Sequence, residues 1–302
     1  FIIRRILQSI FVVIVISFVV FALTFLSGDP ATLMTSPEAT AEDIERFREE
    51  AGFNDPLYEQ YGRFLKDAIQ GDFGKSLRHH QPSLPMVLDR LPATLQLSTL
   101  AIAFTVAFAI PLGLVSAIER GSIIDTFAKF FAVFGQSMPN FWLGIMLIYL
   151  FSVKMHWLPT SGRGGLRHLI LPASTMALNL MATVTRLVRS TLLEVLSEDY
   201  IRTARSKGLR EVVVLFRHAF RNALIPVVTV VGLQFGYILG GAVVVETVFA
   251  WPGVGLLTIN AIYNRDFPLV QAAVFVLAVA IILINLSVDV LYSFLDPRIR
   301  LE

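Results

Sequence analysis

The chain has 302 residues, of which 55% are hydrophobic and only 16% are charged, and its mean hydropathy is +0.68. Soluble domains carry about 25% charged residues, so this composition excludes an ordinary soluble protein and indicates a membrane protein. The net charge of +2 gives no support for a nucleic-acid partner, and the lack of cysteine in the sequence excludes disulfides and thiolate chemistry.

Six apolar stretches are predicted to cross the membrane, because a bilayer core requires about 20 apolar residues in a helix. They comprise residues 6–26, 91–118, 130–153, 169–185, 223–245 and 269–295. The third stretch contains Pro139, and the fourth is the shortest. The first stretch is too long for the core of a secretory signal and lacks a small-residue cleavage site, so we expect it to be a retained helix.

Basic residues predict the orientation of these spans, since Lys and Arg accumulate in short cytoplasmic loops. Arg4 and Arg5 precede the first span, and the loop at 186–222 is densely basic. Its basic residues are Arg186, Arg189, Arg202, Arg205, Lys207, Arg210, Arg217 and Arg221. We therefore expect both termini and this loop to be cytoplasmic, and the long segment at 28–92 to be extracytoplasmic.

The extracytoplasmic segment is predicted to form a small helical cap. Thr40 and Asp43 have the spacing of a capping box, and a second helix is predicted to begin at Pro56 and to end at Gly71. The predicted buried face of that helix consists of Leu57, Tyr61, Phe64, Leu65 and Ala68. Two roles remain open for the cap, namely packing against loops and docking of an extracytoplasmic partner.

The GDFGKS sequence at 71–76 has part of the pattern of a phosphate-binding loop. That loop requires a glycine at the position of Ile69, and no strand pattern precedes it, so we predict no nucleotide site here. His79 and His80 follow closely. Adjacent residues cannot aim both imidazole rings at one metal, so we predict a solvated turn rather than a metal site.

The basic loop is predicted to contain two helices joined at a glycine. Ser197 is in position to cap a helix that continues to Lys207, and Gly208 permits the left-handed conformation that ends it. A second helix from Leu209 is amphipathic, with Val212, Phe216, Ala219, Phe220 and Ala223 on its apolar face. Small residues at the corner allow close approach of another surface. The pattern leaves two interpretations equally open: attraction to anionic lipid, and docking into a groove of a cytoplasmic partner.

Uncharged polar residues within the spans either bond neighbouring helices or line a pathway. The pathway candidates are Gln96, Gln136, Asn140, Asn179 and Gln234. Asp289 is the one ionisable residue well inside a predicted span. We expect Asp289 to pair with a basic residue of the 186–222 loop rather than to relay protons.

The basic loop also resembles a known family. YIRTARSKGL at 200–209 and RHAFRNALIP at 217–226 resemble the EAA-type cytoplasmic loop of ABC importer permeases, in the branch that carries dipeptides, oligopeptides and nickel. Arg202 stands where sugar permeases have glutamate, and Pro226 lies further from the glycine than it does there; both departures are usual in the peptide branch. Other stretches that match are RRIL, GDFGKS, SMPNFWLG, VFAWPGVG, RDFP and LDPRIR.

The resemblance implies an all-α, polytopic membrane protein with six transmembrane helices and the type I ABC importer fold. The implied domains are a first helix at 1–27, an extracytoplasmic segment at 28–92, a permease core at 93–295 and a tail at 296–302. It further implies a non-catalytic subunit of the bacterial inner membrane that forms half of a pathway for di- or oligopeptides or similar small solutes. The alternatives are a permease for nickel or another solute, and a secondary transporter driven by an ion gradient.

In this family the loop forms a coupling helix that sits in a cleft of an ATPase subunit. The ATPase-coupling residues implied for this chain are Glu198, Asp199, Tyr200, Arg202, Thr203, Ala204, Arg205, Lys207, Gly208 and Arg210. This chain is expected to bind no cofactor itself, with ATP and Mg on partner subunits. The implied partners are a homologous second permease, two cytoplasmic ATPase subunits, an extracytoplasmic solute-binding protein and membrane lipid, with no nucleic acid.

Overall fold

A computed structural model of the chain describes residues 2–26, 29, 31–32, 35, 39–50 and 52–295. The predicted tail at 296–302 lies outside these residues. The helices are α1 (Ile2–Leu26), α2 (Ala41–Glu50), α3 (Leu57–Gln70), α4 (Ser83–Ile118), α5 (Ile123–Ser137), α6 (Asn140–Leu147), α7 (Leu166–Leu196), α8 (Asp199–Ser206), α9 (Glu211–Val213), α10 (Arg221–Val248), α11 (Val254–Tyr263) and α12 (Phe267–Leu295). The π-helix Ile148–Lys154 continues α6, and the π-helix Val214–Phe220 joins α9 to α10.

The predicted all-α class is confirmed, since the regular secondary structure of the described residues is helical apart from one isolated β-bridge between Lys75 and Pro82. Five helical stretches are long and apolar enough to cross a membrane. They are Arg4–Ala22, Ser83–Ile118, Leu166–Leu196, Glu211–Val248 and Phe267–Val290. These stretches correspond to five of the six predicted spans.

The remaining predicted span, 130–153, is broken rather than continuous, and its two helical halves together are long and apolar enough to form a bent sixth span. Helices α5 and α6 meet at a bend of 110°. The bend falls at Met138 and Pro139, which have extended backbones with ψ of 129° and 136°. Proline disfavours the helical conformation for the residue before it, because the ring clashes with that residue's backbone and Cβ. Prolines within α7 and α10, by contrast, leave those helices unbroken.

The chain divides into two compact units, one within residues 1–93 and 252–282 and the other within 94–251 and 283–302. Helix α7 is the most buried of the long helices and packs against α5, α6 and α10 in the second unit. The prediction of a short fourth span at 169–185 underestimated it, because polar residues toward its end face the protein interior rather than ending the helix. Thr185, for example, is buried and its hydroxyl donates to the carbonyl oxygen of Ala109 at 3.4 Å.

Two glycines allow close packing of α7. A Cβ added to Gly113 would lie 2.7 Å from the carbonyl oxygen of Thr185 and 2.7 Å from Cβ of Val188. A Cβ added to Gly135 would lie 3.1 Å from Cβ of Ala182. Small residues at contacts are typical of membrane helices, where van der Waals packing between backbones stabilises association.

We expect Gly113→Ala to lower the free energy of unfolding by about 1–3 kcal/mol, because the added methyl group would meet a helix backbone that cannot move aside locally. Denaturant titration of the purified chain in detergent micelles measures this change. The matched control is Gly62→Ala in α3, where no atom lies within 4 Å of the added Cβ. Equal effects of the two substitutions would show that helix propensity, rather than the contact with α7, governs the result.

In the first unit, the predicted capping box is present at the start of α2. The Asp43 amide donates to Oγ1 of Thr40 at 3.2 Å, and the Thr40 amide donates to Oδ2 of Asp43 at 3.1 Å. The bonds from Thr40 hold the pKa of the Asp43 carboxyl below its usual value. Helix α3 begins and ends as predicted, and Gly71 after it has φ of +77°.

The predicted buried face of α3 is partly wrong. Phe64 and Ala68 pack in an apolar cluster with Phe73, Val87 and Leu269. Leu57, however, is 62% exposed. Gln60 is buried instead, because its amide donates to the carbonyl oxygens of two residues before α3.

The GDFGKS segment has a structural role in the same unit. The Ser76 hydroxyl donates to the Asp266 carboxylate, and the Leu77 amide donates to Asp266 Oδ1 at 3.1 Å. The Arg78 guanidinium likewise donates to the Asn264 side chain. These bonds attach the end of the segment and the two residues after it to the RDFP sequence and to the asparagine before it. His79 and His80 are exposed, as expected for a solvated turn.

Candidate functional site

The basic loop forms the predicted corner between two helices. Helix α8 ends at Ser206, and Gly208 has a left-handed φ of +74°, as predicted. The prediction that Ser197 caps α8 is wrong, because its hydroxyl donates backward to the carbonyl oxygen of Glu194 at 2.7 Å. Glu198 occupies the N-cap position with an extended backbone and makes no side-chain cap bond.

Two residues of α8 attach the corner to the rest of this subunit. Ile201 is fully buried and Ala204 is 7% exposed. Both pack in an apolar cluster with Leu192 of α7 and with Val214 and Ala219 of the π-helix. The small side chain at 204 therefore packs within the chain, and its part in the approach of another subunit stays a prediction.

The other candidate coupling residues are exposed on this corner. They are Glu198, Asp199, Tyr200, Arg202, Thr203, Arg205, Lys207, Gly208 and Arg210. The side chains of Asp199 and Arg202 are 92% and 79% exposed, although they approach each other to 3.4 Å. The structure thus leaves nine of the ten predicted residues accessible at this corner, and five of the nine lie on α8.

An ion pair across the glycine holds the corner. The Arg205 guanidinium donates to both carboxylate oxygens of Glu211, at 2.6 and 3.2 Å, and this bond raises the pKa of Arg205. Both side chains are about half exposed, so the pair adds little to stability. Its bidentate geometry instead restricts the angle between α8 and α9.

The apolar face predicted after Leu209 is partly wrong. Ala219 and Ala223 are buried as expected, but Val212 is 67% exposed and Phe216 is 51% exposed. The cause is the π-helix, whose wider turn brings residues five apart, Val214 and Ala219, to the same buried side.

A buried carboxylate near the corner was not predicted. Asp125 is fully buried at the start of α5. Its carboxylate accepts from Arg189 Nε of α7 at 2.6 Å, from the Ser116 hydroxyl at 2.8 Å and from the Gly121 amide at 2.9 Å. Lys129 Nζ lies 2.8 Å from it. The sequence held one signal for Asp125, since it stands three residues after Ser122, whose hydroxyl accepts from the Asp125 amide.

Three of the five predicted pathway residues line one cavity. Asn140, Asn179 and Gln234 surround it together with Tyr237 and Gly241. Its volume is about 40 Å³, enough for a few water molecules. Tyr237 was missed, although it lies one helical turn after Gln234 on the same face of α10.

The other two pathway candidates bond elsewhere. The Gln136 side chain donates to the Thr183 hydroxyl at 3.0 Å, which links α5 to α7. Gln96 accepts a bond from Arg163 at 3.3 Å. Asp289 is buried, at 8% exposure, and its pairing with the basic loop stays a prediction.

A second buried acid lies near the end of α10. Glu246 is fully buried and accepts a bond from the Thr94 hydroxyl at 2.6 Å. It falls one residue beyond the predicted fifth span and was therefore missed. In the part of the chain that the structure describes, no group of three or more His, Asp or Glu side chains has the arrangement of a metal site.

Comparison with known proteins identifies the family. Residues 109–301 match the model described as "Binding-protein-dependent transport system inner membrane component", and residues 1–98 match its N-terminal counterpart. The chain is 42% identical to the "Glutathione transport system permease protein GsiC" of Escherichia coli K12, and equally to that of Shigella flexneri serotype 5b. Each alignment covers 99% of this chain and 98% of the relative.

Two solved structures share the fold. A structure titled "Crystal structure of an amino acid ABC transporter with histidines" aligns with a TM-score of 0.52 at 19% identity, over 71% of this chain and 94% of that one. The inward-facing MetNI methionine ABC transporter aligns with a TM-score of 0.56 at 17% identity, over 70% and 96%. Both likenesses support the importer permease fold.

These matches establish what kind of subunit carries the corner. Permeases of ABC importers act with ATPase and binding-protein partners and do not themselves catalyse a reaction. The apolar helices place the chain in the inner membrane as a multi-pass protein. The chain belongs to the family of binding-protein-dependent transport system inner membrane components, as a translocation subunit of an ABC importer.

Proposed function

We propose that this subunit forms half of a translocation pathway for di- or oligopeptides or similar small solutes. The observation that carries the substrate class is the 42% identity, over nearly the full length, to relatives named as glutathione transport permeases. Glutathione is a tripeptide, so a peptide solute is the chemistry that this similarity supports. An extracytoplasmic binding protein delivers the solute.

The polar cavity supports the pathway assignment. Asn140, Asn179 and Gln234 carry neutral amides, which both donate and accept hydrogen bonds as a peptide backbone does. At about 40 Å³ the cavity is far too small to enclose a peptide. A second surface is needed to complete the pathway, which supports a homologous second permease subunit. We assign Gln136 to a contact between helices and Gln96 to a contact with the loop residue Arg163, rather than to solute.

We further propose that residues 198–210 dock into one of two cytoplasmic ATPase subunits, the other of which serves the second permease. The exposed polar surface of α8, fixed from behind by Ile201 and Ala204, supports this role. ATP and Mg bind those partners, and this chain holds no cofactor. Closure of the ATPase pair then moves α8 together with the elements to which it is attached.

Reconstitution in proteoliposomes tests both proposals. The chain is combined with its partner permease, ATPase subunits and binding protein, and uptake of a labelled dipeptide, glutathione and radiolabelled nickel is compared. We expect peptide uptake that requires ATP and the binding protein, and no ATP hydrolysis by the purified chain alone.

Two results would contradict the assignment. Uptake of nickel without uptake of either peptide would overturn the substrate class. ATP turnover by the isolated chain, free of contaminating ATPase, would overturn the placement of ATP on partner subunits.

A further inference from the structure

Helix α3 of the extracytoplasmic segment lies beside α1, not beyond its end. The Tyr61 hydroxyl of α3 lies 3.2 Å from the carbonyl oxygen of Ile14 and 2.8 Å from Oγ of Ser17. The Tyr61 ring also packs against the rings of Phe18 and Phe21, with centroids 5.5 Å apart in both pairs. Ile14 stands eight residues before Ala22, the end of the candidate span in α1, which is about 12 Å of helix.

A separate contact gives the same depth on another span. Phe73 follows α3 closely, and its ring centroid lies 5.3 Å from that of Phe275 in α12. Phe275 stands eight residues after the start of α12, which is about 12 Å of helix. Half of a bilayer's hydrocarbon core is about 15 Å thick. Because α1 and α12 are both candidate membrane spans, α3 lies at the level of the outer leaflet.

The exposed surface of α3 has one apolar flank and one polar flank. The apolar flank consists of Tyr58, Leu65 and Ile69, which recur at helical spacing. Tyr58 is 73% exposed and Ile69 is 85% exposed. The second flank is exposed as well and consists of Glu59, Arg63 and Lys66. This division is separate from the buried stripe of Phe64 and Ala68. On the polar flank, the Arg63 guanidinium donates to Asp55 Oδ2 at 2.6 Å and to the carbonyl oxygen of Gly52 at 2.8 Å.

We propose that α3 is an interfacial helix that binds the lipid of the outer leaflet. Its apolar flank contacts the boundary between headgroups and acyl chains, and its polar flank faces headgroups and water. Short amphipathic helices with a charged face adopt this position, with the apolar side about 5–10 Å below the headgroups. The candidate span in α1, which α3 contacts through Tyr61, also exposes large apolar side chains, since Phe11 is 67% and Phe18 is 55% exposed.

Depth measurements on the assembled transporter test this proposal. The sequence lacks cysteine, so single substitutions allow one spin label at a time. Tyr58→Cys and Ile69→Cys place the label on the apolar flank, and Glu59→Cys and Lys66→Cys are the matched controls on the polar flank. Each labelled complex is placed in nanodiscs, and its collision rates with oxygen and with a water-soluble nickel chelate are compared.

We expect the ratio of oxygen to chelate collisions to be at least about twofold higher at positions 58 and 69 than at 59 and 66, because oxygen concentrates among acyl chains and the chelate does not. Ready access of the chelate to all four positions would show that α3 projects into water and would overturn the proposal. Protection of 58 and 69 from both reagents would show that a protein partner covers the flank, which also overturns it. Uptake activity of each labelled complex is measured as a control for correct assembly. This control does not depend on whether α3 lies in lipid or in water.

Discussion

Gly208→Arg is expected to reduce solute uptake at least tenfold, which corresponds to a loss of docking free energy of about 1.4 kcal/mol. Gly208 is exposed at the corner after α8, with nothing within 4 Å of an added Cβ. A long side chain there would meet no other side chain of this subunit, although it would strain the left-handed backbone, and it would obstruct an ATPase subunit approaching α8. ATP-dependent uptake and stimulation of the partner ATPase should both fall, while membrane insertion remains normal.

The matched control is Gly208→Asn, which keeps the left-handed backbone available, since asparagine tolerates φ of +74° better than other side chains. We expect this variant to retain most uptake. Ala204→Glu tests docking less well, because Ala204 is buried in the chain's own apolar cluster and a carboxylate there would disturb α8 itself. Normal uptake and normal ATPase stimulation by Gly208→Arg would contradict the coupling assignment.

Asp125→Ala is expected to lower the free energy of unfolding by about 2–3 kcal/mol, because it leaves buried donors without their acceptor. The carboxylate joins the turn after α4, the start of α5 and Arg189 of α7. Arg189 is only 19% exposed, so water replaces the lost bond poorly. Denaturant titration in detergent micelles, followed by tryptophan fluorescence, measures the change.

The control for Asp125 is Glu42→Ala, which removes an ion pair with Arg46 at 3.9 Å between side chains that are both mostly exposed. Exposed pairs of this kind contribute less than about 1 kcal/mol, so we expect a change within about 0.5 kcal/mol. If Asp125→Ala is as mild as Glu42→Ala, then the buried cluster does not hold α5 to α7. If it is severe, the block of helices behind the coupling corner depends on this one carboxylate.

Local signals in the sequence were sufficient where the structure depends on neighbouring residues. The left-handed Gly208, the capping box of Thr40 with Asp43, and the end of α3 at Gly71 were predicted because each involves bonds within one turn. Five of the six predicted spans were also located. Exposing unpaired backbone groups to lipid is costly, so a span must be a long apolar helix, and such a run is recognisable in the sequence. Family resemblance, rather than pattern, favoured partner docking over lipid attraction for the basic corner.

The errors fall where distant parts of the chain compete with local preference. Ser197 turns back to Glu194 rather than capping α8, and Phe216 leaves the apolar face because a π-helix changes the register. The burial of Ala204 in one cluster with Leu192 was not foreseen, because it depends on a contact between distant parts of the chain. Pro139 differs from these cases, because it disfavours a helix locally and was visible in the sequence. The size of the resulting bend, 110°, was underestimated.

By itself, the sequence determined that this is a multi-pass helical membrane protein with a basic helix–glycine–helix corner, because hydrophobicity, charge and glycine act over short distances along the chain. Only the tertiary structure decided which side chains of that corner are exposed. It also decided that Asp125 and Arg189 form one buried cluster and that one cavity is lined by Asn140, Asn179 and Gln234. It also placed α3 beside α1 through Tyr61. These facts depend on contacts between helices that are distant in sequence, and no periodicity within one helix specifies its neighbour.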